Sequence, residues 1–388
     1  MWILTKRTAI KNLLTKKVPD IILKQRSRIM KNIIRVGFIG LNPDSHWASM
    51  SHFPALQSLS DKFAVVGVAN STKQSARRTA DALGLPHAFD NVHELVNSPE
   101  IDLVVVTVKV PHHLELVTAA LEACKHVYCE WPLGNGLAEA KKLEKLAQEK
   151  GVVAVVGNQA RGALEIEHLR KLIAEGYVGK VLSTTLVGSG GNWADETVED
   201  LYYLFDKKNG ATMLTIPLAH TLAAMKDVLG DFGPLSSRFV TRFDTVKITE
   251  TGESRKKTAA DQIMVHGTLE SGAAFSIHYR GGVSRGTNLL WEINGTQGDI
   301  QVTGDLGHAQ MIQLKVLGAR KGEKELVSLM PEASLYEGWP ESVTVRNVAR
   351  IYSRLYDDIC NGTHTAPSFQ DAVALHELID GIEQAAAA

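Results

Sequence analysis

The sequence of 388 residues predicts two domains: an α/β domain with a doubly wound parallel sheet, and an α+β domain with an open, mostly antiparallel sheet covered by helices on one face. Two observations support this fold class. In the first part of the chain, apolar and β-branched runs alternate with helical patterns, which is typical of βαβ units. After about residue 180, strands dominate and turn sequences separate them, which indicates antiparallel pairing.

Strands and helices of the first domain follow one another in a regular order. Strands are predicted at 33–41, 63–70, 101–108, 127–130 and 152–157, and helices at 47–59, 73–83, 112–124 and 137–150. The run at 33–41 is apolar apart from Arg35 and rich in β-branched residues, as expected for a strand that is buried on both faces, and 101–108 is a further strong strand. Because crossovers between parallel strands are right-handed, these units predict one doubly wound domain over residues 32–160.

The second domain is predicted over residues 161–345, and the last segment, 346–388, is expected to return towards the first domain. Strands are predicted at 181–189, 236–243, 262–269, 273–279, 288–294 and 300–303, and helices at 163–175, 218–229, 347–361 and 369–385. The helix at 218–229 is expected to cover one face of the sheet. The open face of that sheet suggests a homodimer.

Composition excludes several classes of protein. The chain is 44% hydrophobic and 22% charged, with 32 Gly and 12 Pro, which is ordinary for a globular protein and excludes collagen and a disulfide scaffold. No apolar run approaches the roughly 18 residues that a membrane span needs. The three cysteines, Cys124, Cys129 and Cys360, are expected to be reduced thiols, so we expect a cytoplasmic protein that does not act at a membrane.

The formal net charge of −1 hides a basic arm. Residues 1–31 contain nine of the 42 Lys and Arg but only one of the 43 Asp and Glu, so the arm carries about +8 and the remainder about −9. We interpret the arm as an extension outside the fold, or as an upstream start with Met30 as the true first residue. Its amphipathic spacing leaves a mitochondrial presequence as an alternative. The acidic remainder carries no DNA-binding motif, so no nucleic-acid partner is expected.

The turn after the first strand is a candidate dinucleotide-binding turn. A Rossmann fold needs glycine there, because backbone N–H groups must approach a pyrophosphate at the start of a helix. Gly40 fills the first position of G-x-G-x-x-G, whereas Asn42 and Ser45 stand at the second and third. Asn tolerates left-handed backbone conformations, so the strand, turn and helix together still predict nucleotide binding. A tight βα turn without a ligand is the alternative.

The end of the second strand bears on the choice between the two nicotinamide cofactors. A site that prefers NAD usually places Asp or Glu there to bind the ribose 2′-hydroxyl. This sequence has Asn70 and Ser71, with Lys73 and Arg77 on the helix that follows. These groups could receive a 2′-phosphate, so NADP is favoured over NAD, although the basic residues could also be a solvated helix face.

Several short motifs are spread over both halves of the chain. They are Gly-Phe-Ile-Gly at 37–40, Cys-Glu-Trp-Pro-Leu at 129–133, Gly-Tyr-Val-Gly-Lys at 176–180 and Gly-Thr-Gln-Gly-Asp at 295–299. With them, residues 32–386 resemble the glucose–fructose oxidoreductase, inositol dehydrogenase and MocA (Gfo/Idh/MocA) family. The resemblance implies a two-domain NAD(P)-dependent oxidoreductase that acts on small molecules, mostly sugars and polyols. Gly-Leu-Asn at 40–42, Trp-Ala at 47–48 and Glu-Trp at 130–131 most resemble the fungal Gal80-like subgroup.

The resemblance also implies that two catalytic positions have changed. Trp131 stands where the family has a lysine, and an indole cannot do acid–base chemistry; Ile216 stands where the family has an aspartate. The family's histidine remains as His220, which would be the general acid or base. Two hypotheses stay open. The protein is either an oxidoreductase for a polar carbonyl or alcohol, sugar-like or a secondary metabolite, or a catalytically silent Gal80-type regulator that acts through a protein partner.

Further residues are expected around a small-molecule substrate and the cofactor. Cofactor contacts are expected from Leu41, Trp47, Val108, His112, Glu130 and Trp131. Substrate contacts are expected from Trp131, Gln159, Arg161, Trp193, Tyr202 and His220. Trp193 and Tyr202 could equally pack an interface, and His112 could face solvent at the start of its helix. No metal site is predicted, because the region around Cys124 and Cys129 has no fourth ligand nearby.

Overall fold

The first domain is built on a six-stranded parallel sheet. The computed structural model describes residues 33–44 and 47–387, so the basic arm and Ser45 of the candidate turn lie outside the described residues. The strands are β1 (Ile34–Ile39), β2 (Phe63–Ala69), β3 (His87–Ala88), β4 (Leu103–Val106), β5 (His126–Glu130) and β6 (Ala154–Gly157). Their order is β3-β2-β1-β4-β5-β6, all parallel, with the switch point between β1 and β4. The predicted doubly wound fold is confirmed.

Helices pack on both faces of this sheet and form two apolar clusters with it. They are α1 (Phe53–Ser58), which continues a π-helical turn at Ala48–His52, α2 (Lys73–Leu83), α3 (Val92–Asn97), α4 (His113–Glu122) and α5 (Leu137–Lys150). All four residues of β4 are buried, because side chains on both of its faces meet helices. The sequence did not predict β3 or α3, since neither is long enough to give a periodic pattern.

The second domain contains a large sheet and a small one. Its strands are β7 (Val181–Ser189), β8 (Glu196–Thr197), β9 (Phe232–Val240), β10 (Thr245–Ile248), β11 (Ser254–Lys256), β12 (Gln262–Leu269), β13 (Ala274–Arg280), β14 (Leu289–Gly295), β15 (Gly298–Gly304), β16 (Lys315–Arg320) and β17 (Val327–Ser328). The large sheet has the order β17-β16-β15-β14-β7-β13-β12-β9 and is antiparallel except between β7 and β13. The mostly antiparallel sheet is therefore confirmed. The small sheet, β11-β10-β8, was not predicted.

Helices α6 (Leu164–Ala174) and α7 (Ala219–Leu229) belong to the second domain, and α8 (Val343–Asn361) and α9 (Phe369–Ala387) end the described chain. α8 packs into the first domain, where Val348, Tyr352 and Leu355 join the buried cluster that contains Phe38 and Phe63. α9 lies between α5 of the first domain and β9 of the second. The last segment therefore contacts both domains. Among the described helices, none has both the length and the apolar character needed to cross a membrane.

A buried ion pair supports the loop that follows β7. Lys257 Nζ lies 3.0 Å from Asp261 Oδ2, and both side chains are inaccessible to solvent. Asp261 also accepts hydrogen bonds from the backbone N–H groups of Arg242 and Phe243, and Lys257 donates to the carbonyl of Trp193 at 2.5 Å. Burial lowers the pKa of Lys257, against the opposing effect of the Asp261 carboxylate. Removing the carboxylate would leave a buried cation without its counter-charge.

We therefore expect Asp261→Ala to lower the free energy of unfolding by about 3–5 kcal/mol, the usual cost of breaking a buried ion pair on one side. Urea unfolding followed by circular dichroism measures this change. Glu196→Ala is the matched control, because Glu196 pairs with Lys247 at 3.1 Å but both side chains are about half exposed. The control should cost less than about 1 kcal/mol. Equal effects of the two substitutions would contradict the role given to the buried pair.

Candidate functional site

A cleft of about 640 Å³ lies between the two domains. It is reached from the carboxyl ends of the parallel strands, which is where doubly wound folds bind their ligands. The first domain lines it with Gly40, Asn42, Asp44, Trp47, Thr107, Val108, Lys109, Val110, His113, Glu130, Trp131 and Gln159. The second domain lines it with Asn192, Trp193, Asp200, Leu201, Tyr203, Leu204, Ile216, His220, His308, Gln310 and Met311.

The turn after β1 can form only around a glycine. Gly40 has a φ of +96°, and a Cβ built on it would lie 2.5 Å from Val108 Cγ1 of the loop after β4. The Gly40 N–H donates to the carbonyl of Ala69 at the end of β2. The missing side chain lets the loop after β4 pack closely against this turn, and a tight glycine turn at the switch point of the sheet fits the place of a dinucleotide pyrophosphate. Leu41 is buried in the core and does not line the cleft.

Of the residues expected to meet a 2′-phosphate, two have other partners in the structure. The Asn70 side chain donates to the carbonyl of Leu41 at 2.8 Å and so braces the turn. Lys73 Nζ pairs with Asp90 Oδ2 at 2.5 Å. Ser71 and Arg77 are exposed and lie outside the cleft lining.

Arg78 is the cation that reaches the turn after β1. Its guanidinium lies 3.3 Å from Asn42 Oδ1 and 3.3 Å from Asp44 Oδ2. Sequence reasoning chose Arg77 for this place. Neighbouring residues of a helix point in different directions, and in α2 it is Arg78 that faces the turn. Arg78 is therefore the better candidate for a phosphate contact at this end of the cleft.

A hydrogen-bonded chain of buried side chains ends at Glu130. Glu130 Oε1 accepts from His52 Nε2 at 2.9 Å and from Gln159 Nε2 at 2.7 Å. The other ring nitrogen of His52, Nδ1, lies 2.9 Å from the hydroxyl of Tyr352. A side chain at Gly157 would overlap Glu130 Oε1. Sequence reasoning missed His52 and Tyr352, because no motif surrounds either residue and the contact joins segments 300 residues apart.

Trp131 lines the cleft, but its ring is held by other parts of the chain. The indole N–H donates to the carbonyl of Thr215 at 2.5 Å. The ring centroid lies 4.6 Å from that of His376 on α9. The side chain is buried, so its only polar group already has a partner and Trp131 offers a ligand an apolar surface.

His220 on α7 lines the deep wall of the cleft and is 4% exposed. Its Nδ1 has no hydrogen-bond partner among the described residues. Burial, together with nearby His308, lowers the pKa of His220 to about 3, so the ring is neutral at pH 7. His308 follows β15 and was not predicted as a site residue, because nothing in the sequence around it marks a motif.

For one predicted histidine and one predicted tyrosine, the structure places the next residue of the chain in the cleft instead. His112 is exposed, and its neighbour His113 lines the cleft instead. The two ring nitrogens of His113 lie 2.7 Å from the carbonyl of Pro132 and 3.0 Å from that of Val108, so this side chain joins the loops after β4 and β5. Tyr202 lies outside the cleft, and Tyr203 lines it.

Arg161 and Tyr202 point away from the cleft because each has a strong partner elsewhere. Arg161 Nε lies 2.7 Å from Asp227 Oδ2 on α7, and Nη1 lies 3.3 Å from Asp371 Oδ2 on α9. The Tyr202 hydroxyl donates to the carbonyl of Lys256 at 2.9 Å. The expected substrate contacts of these two residues are therefore corrected to structural contacts.

Trp193 lines the cleft in a constrained conformation. Its φ is +66°, which is rare for a residue with a bulky side chain. The indole N–H of Trp193 donates to the carbonyl of Leu204 at 2.9 Å. The backbone carbonyl of Trp193 accepts a hydrogen bond from Lys257 Nζ. Such backbone conformations persist where surrounding contacts hold them, and they are frequent at ligand sites. In the part of the chain that the structure describes, no group of three or more His, Cys, Asp and Glu could hold a metal ion.

Comparison with protein families assigns the two domains separately. Residues 34–158 match the family described as "Oxidoreductase family, NAD-binding Rossmann fold". Residues 165–304 match the family described as "Gal80p, C-terminal domain". Both domains described above therefore have relatives in known families.

The curated relatives include regulators and dehydrogenases. The galactose/lactose metabolism regulatory protein GAL80 of Kluyveromyces lactis is 31% identical over 304 residues, which cover 72% of this chain and 66% of that protein, just under two thirds of its length. Dehydrogenase aclE of Aspergillus oryzae is 30% identical over 345 residues, which cover 82% of this chain and 92% of that protein.

The similar solved structures also include both a regulator and a dehydrogenase. A super-repressor mutant of Gal80p from Saccharomyces cerevisiae superposes with a TM-score of 0.85 at 26% identity, covering 92% of this chain and 96% of that chain. Levoglucosan dehydrogenase in complex with NADH and levoglucosan gives a TM-score of 0.78 at 20% identity, covering 92% and 98%. The second likeness is one of fold alone.

The glycine turn generates a first prediction for the site. Gly40→Ala places a Cβ against Val108 at a φ of +96°, so the substitution must open the turn. We expect the affinity for a nicotinamide cofactor to fall at least about tenfold, as measured by fluorescence titration. Gly84→Ala is the matched control, because Gly84 also has a positive φ (+65°) but nothing lies within 4 Å of its Cβ position. The control should lose stability without losing affinity. Unchanged affinity in Gly40→Ala would contradict the turn as the cofactor site.

The buried histidines generate a prediction about acid. The pKa of His220 is lowered to about 3 and that of His376, again by burial, to about 4, both below the unfolded value of about 6.5. As the pH falls below about 6.5, these histidines bind protons in the unfolded chain but not yet in the folded one. Each therefore lowers the free energy of unfolding by up to ~1.4 kcal/mol per pH unit, until the pH reaches the pKa that the histidine has in the folded protein.

His376→Phe removes one of these groups and keeps an aromatic ring against Trp131. Urea unfolding between about pH 6.5 and pH 4 should therefore show a smaller loss of stability in this variant than in the wild type. His93→Phe replaces an exposed histidine and should leave the pH dependence unchanged. Parallel pH profiles for wild type and His376→Phe would rule out this contribution.

Proposed function

Because the chain belongs to the oxidoreductase family with an NAD-binding Rossmann fold, and its second domain to the Gal80p C-terminal type, we propose that it is an oxidoreductase that transfers a hydride between a nicotinamide cofactor and a polar carbonyl or alcohol. The substrate would be a small sugar-like molecule or a secondary metabolite. The observation that carries this proposal is His220, a buried neutral imidazole with a free ring nitrogen in the same cleft as the glycine turn.

The chain's own contribution is to orient the substrate and to move one proton. The cofactor, when bound, supplies the hydride chemistry. Oxidation of an alcohol also releases the hydroxyl proton, which needs an acceptor within hydrogen-bond reach. His220 is neutral at pH 7 and has a ring nitrogen without a partner among the residues described, so it is in the form that accepts a proton.

We propose NADP as the preferred cofactor, with NAD as the alternative. No acidic residue follows β2 where NAD-preferring sites place one, and the chain has Asn70 and Ser71 there. Arg78 at the turn and the exposed Arg77 supply positive charge on the adjoining helix. Gly40, Trp47 and Val108 of the cleft lining would contact the rest of the cofactor, together with Asn42, Glu130 and Trp131.

A regulator without turnover is the second candidate, and Trp131 favours it. The resemblance to the family implies a lysine at this position and an aspartate at Ile216, and neither replacement can transfer a proton. The indole N–H is already engaged by the carbonyl of Thr215. Two of the relatives are named as regulatory proteins of galactose metabolism. In this reading the cofactor-binding body would act by contact with a regulatory protein partner.

Cofactor titration and a substrate panel distinguish the two functions. For an enzyme, NADPH or NADH binds, and some sugar, polyol or keto compound is turned over; His220→Gln then lowers turnover by about a hundredfold or more while cofactor affinity stays the same. Trp131→Phe serves as the comparison variant and should keep its turnover. Tight cofactor binding with no turnover on any compound would favour the regulator. If neither cofactor binds, both functions are wrong.

We also propose a cytoplasmic location and a homodimer. The cysteine content supports the former. For the latter, β13 alternates buried and exposed side chains, so the large sheet has one face outside the core of this chain. Leu182 on the neighbouring strand β7 is 52% exposed.

A further inference from the structure

The wall that the second domain contributes to the cleft presents mostly apolar side chains. Leu201, Tyr203 and Ile216 line this wall and are half-buried. Met311 lines it as well, with 39% of its surface exposed. These four side chains come from three separate segments: the turn at 199–205, the π-helical turn before α7 and the loop after β15. The fold therefore brings apolar groups from distant parts of the chain to one cavity.

Two tryptophans extend this apolar surface. Trp131 of the first domain and Trp193 of the second line the same cleft and are at most 5% exposed. Their indole N–H groups donate to the carbonyls of Thr215 and Leu204. An indole has no other polar atom, so neither ring has a hydrogen bond left to offer a ligand. Whatever part of either ring a ligand touches is apolar.

Polar groups are few on the same wall. Besides the proposed proton acceptor, the described polar residues of the second-domain wall that are not buried are Asn192, Asp200 and Tyr203. His308 and Gln310 also line the wall, but they are at most 7% exposed and so meet a ligand over little area. This wall can therefore pair with a small number of hydroxyl groups.

A molecule with many hydroxyl groups would fit this wall poorly. A hydroxyl that leaves water without finding a new partner weakens binding roughly tenfold or more. The proposed function assigns the polar groups of the first-domain wall to the cofactor, so they do not make up the shortage. Apolar surface behaves in the opposite way, because its removal from water against Leu201, Ile216 and Met311 favours binding.

We propose that the substrate is a secondary alcohol or ketone carried on an apolar ring system, and that Leu201, Ile216 and Met311 are the residues that select it. This inference rests on the proposed function, because it concerns the substrate of the same cleft. Of the two substrate classes named there, it chooses an apolar secondary metabolite over a sugar-like molecule. Met311 suits this role, because its flexible thioether side chain adapts to rings of different shape.

Three neutral alcohols test the proposal by binding, so the test does not depend on turnover. The full chain is titrated by calorimetry, with and without saturating NADPH, with myo-inositol, cyclohexanol and 2-tetralol. Cyclohexanol has the same carbon ring as myo-inositol but a single hydroxyl, and we expect it to bind at least about threefold more tightly. 2-Tetralol adds a second fused ring to one hydroxyl and should bind at least about tenfold more tightly than myo-inositol.

Met311→Gln replaces the most exposed apolar side chain of this wall with a polar one of similar length. It should weaken 2-tetralol about threefold to tenfold and leave NADPH affinity unchanged. Met50→Gln is the matched control, because Met50 is 63% exposed and lies outside the cleft lining, and it should bind all three alcohols as the wild type does. If thermal unfolding shows that Met311→Gln does not fold, Ile216→Thr supplies the same test from another segment, with the same expected loss.

Three outcomes would overturn the proposal: myo-inositol binding as tightly as the other two alcohols, unchanged 2-tetralol affinity in the folded wall variants, or no binding of 2-tetralol in either titration. Failure of the proposed function looks different. Alcohols that bind in the expected order but are never oxidised, in a chain that turns over no other compound, leave the apolar site standing and remove the oxidoreductase. Turnover of a polyol whose KM is the same in Met311→Gln keeps the oxidoreductase and removes the apolar substrate.

Discussion

The Glu130 carboxylate joins parts of the chain that are far apart in sequence, and the shape of the cleft depends on it. Glu130 Oε1 binds His52, which begins α1, and Gln159, which follows β6. Through His52 it reaches Tyr352, 300 residues further along the chain. A partly buried carboxylate costs free energy unless hydrogen bonds compensate for the lost water, and these donors provide that compensation. Removing any one of them would leave a buried charge or a buried polar group unpaired.

The same contacts explain why two positions near Glu130 have little freedom. Gly157 has no side chain because a Cβ would overlap Glu130 Oε1. Gln159 is oriented by its bond to Glu130, which turns its amide oxygen away from the carboxylate. On the other side of the cleft, Lys257 holds the carbonyl of Trp193 and keeps that residue in a left-handed conformation. Both walls are thus positioned by buried charges before any ligand binds, which lowers the entropic cost of binding.

The sequence predicted the elements whose residues carry their own pattern. β4 is a continuous apolar strand and β1 is apolar apart from Arg35, so both could be found without tertiary information. Gly40 could be found as well, because it follows β1 directly. Side-chain directions could not be found in this way. Arg161 was expected in the cleft, but Asp227 and Asp371 draw it to the other side.

Residues brought to the site from distant segments were also beyond the sequence. His308 has no local motif, and its place in the cleft lining depends on a hydrogen bond to the carbonyl of Gly190, 118 residues earlier in the chain. In the same way, Trp131 was expected to contact the cofactor and the substrate, and only the structure shows that its N–H is already bound to the carbonyl of Thr215. A buried indole N–H that turned towards a ligand would lose that partner and gain none unless the ligand offered an acceptor. In the proposed oxidoreductase, Trp131 therefore contributes an apolar surface and the proton transfer is assigned to His220.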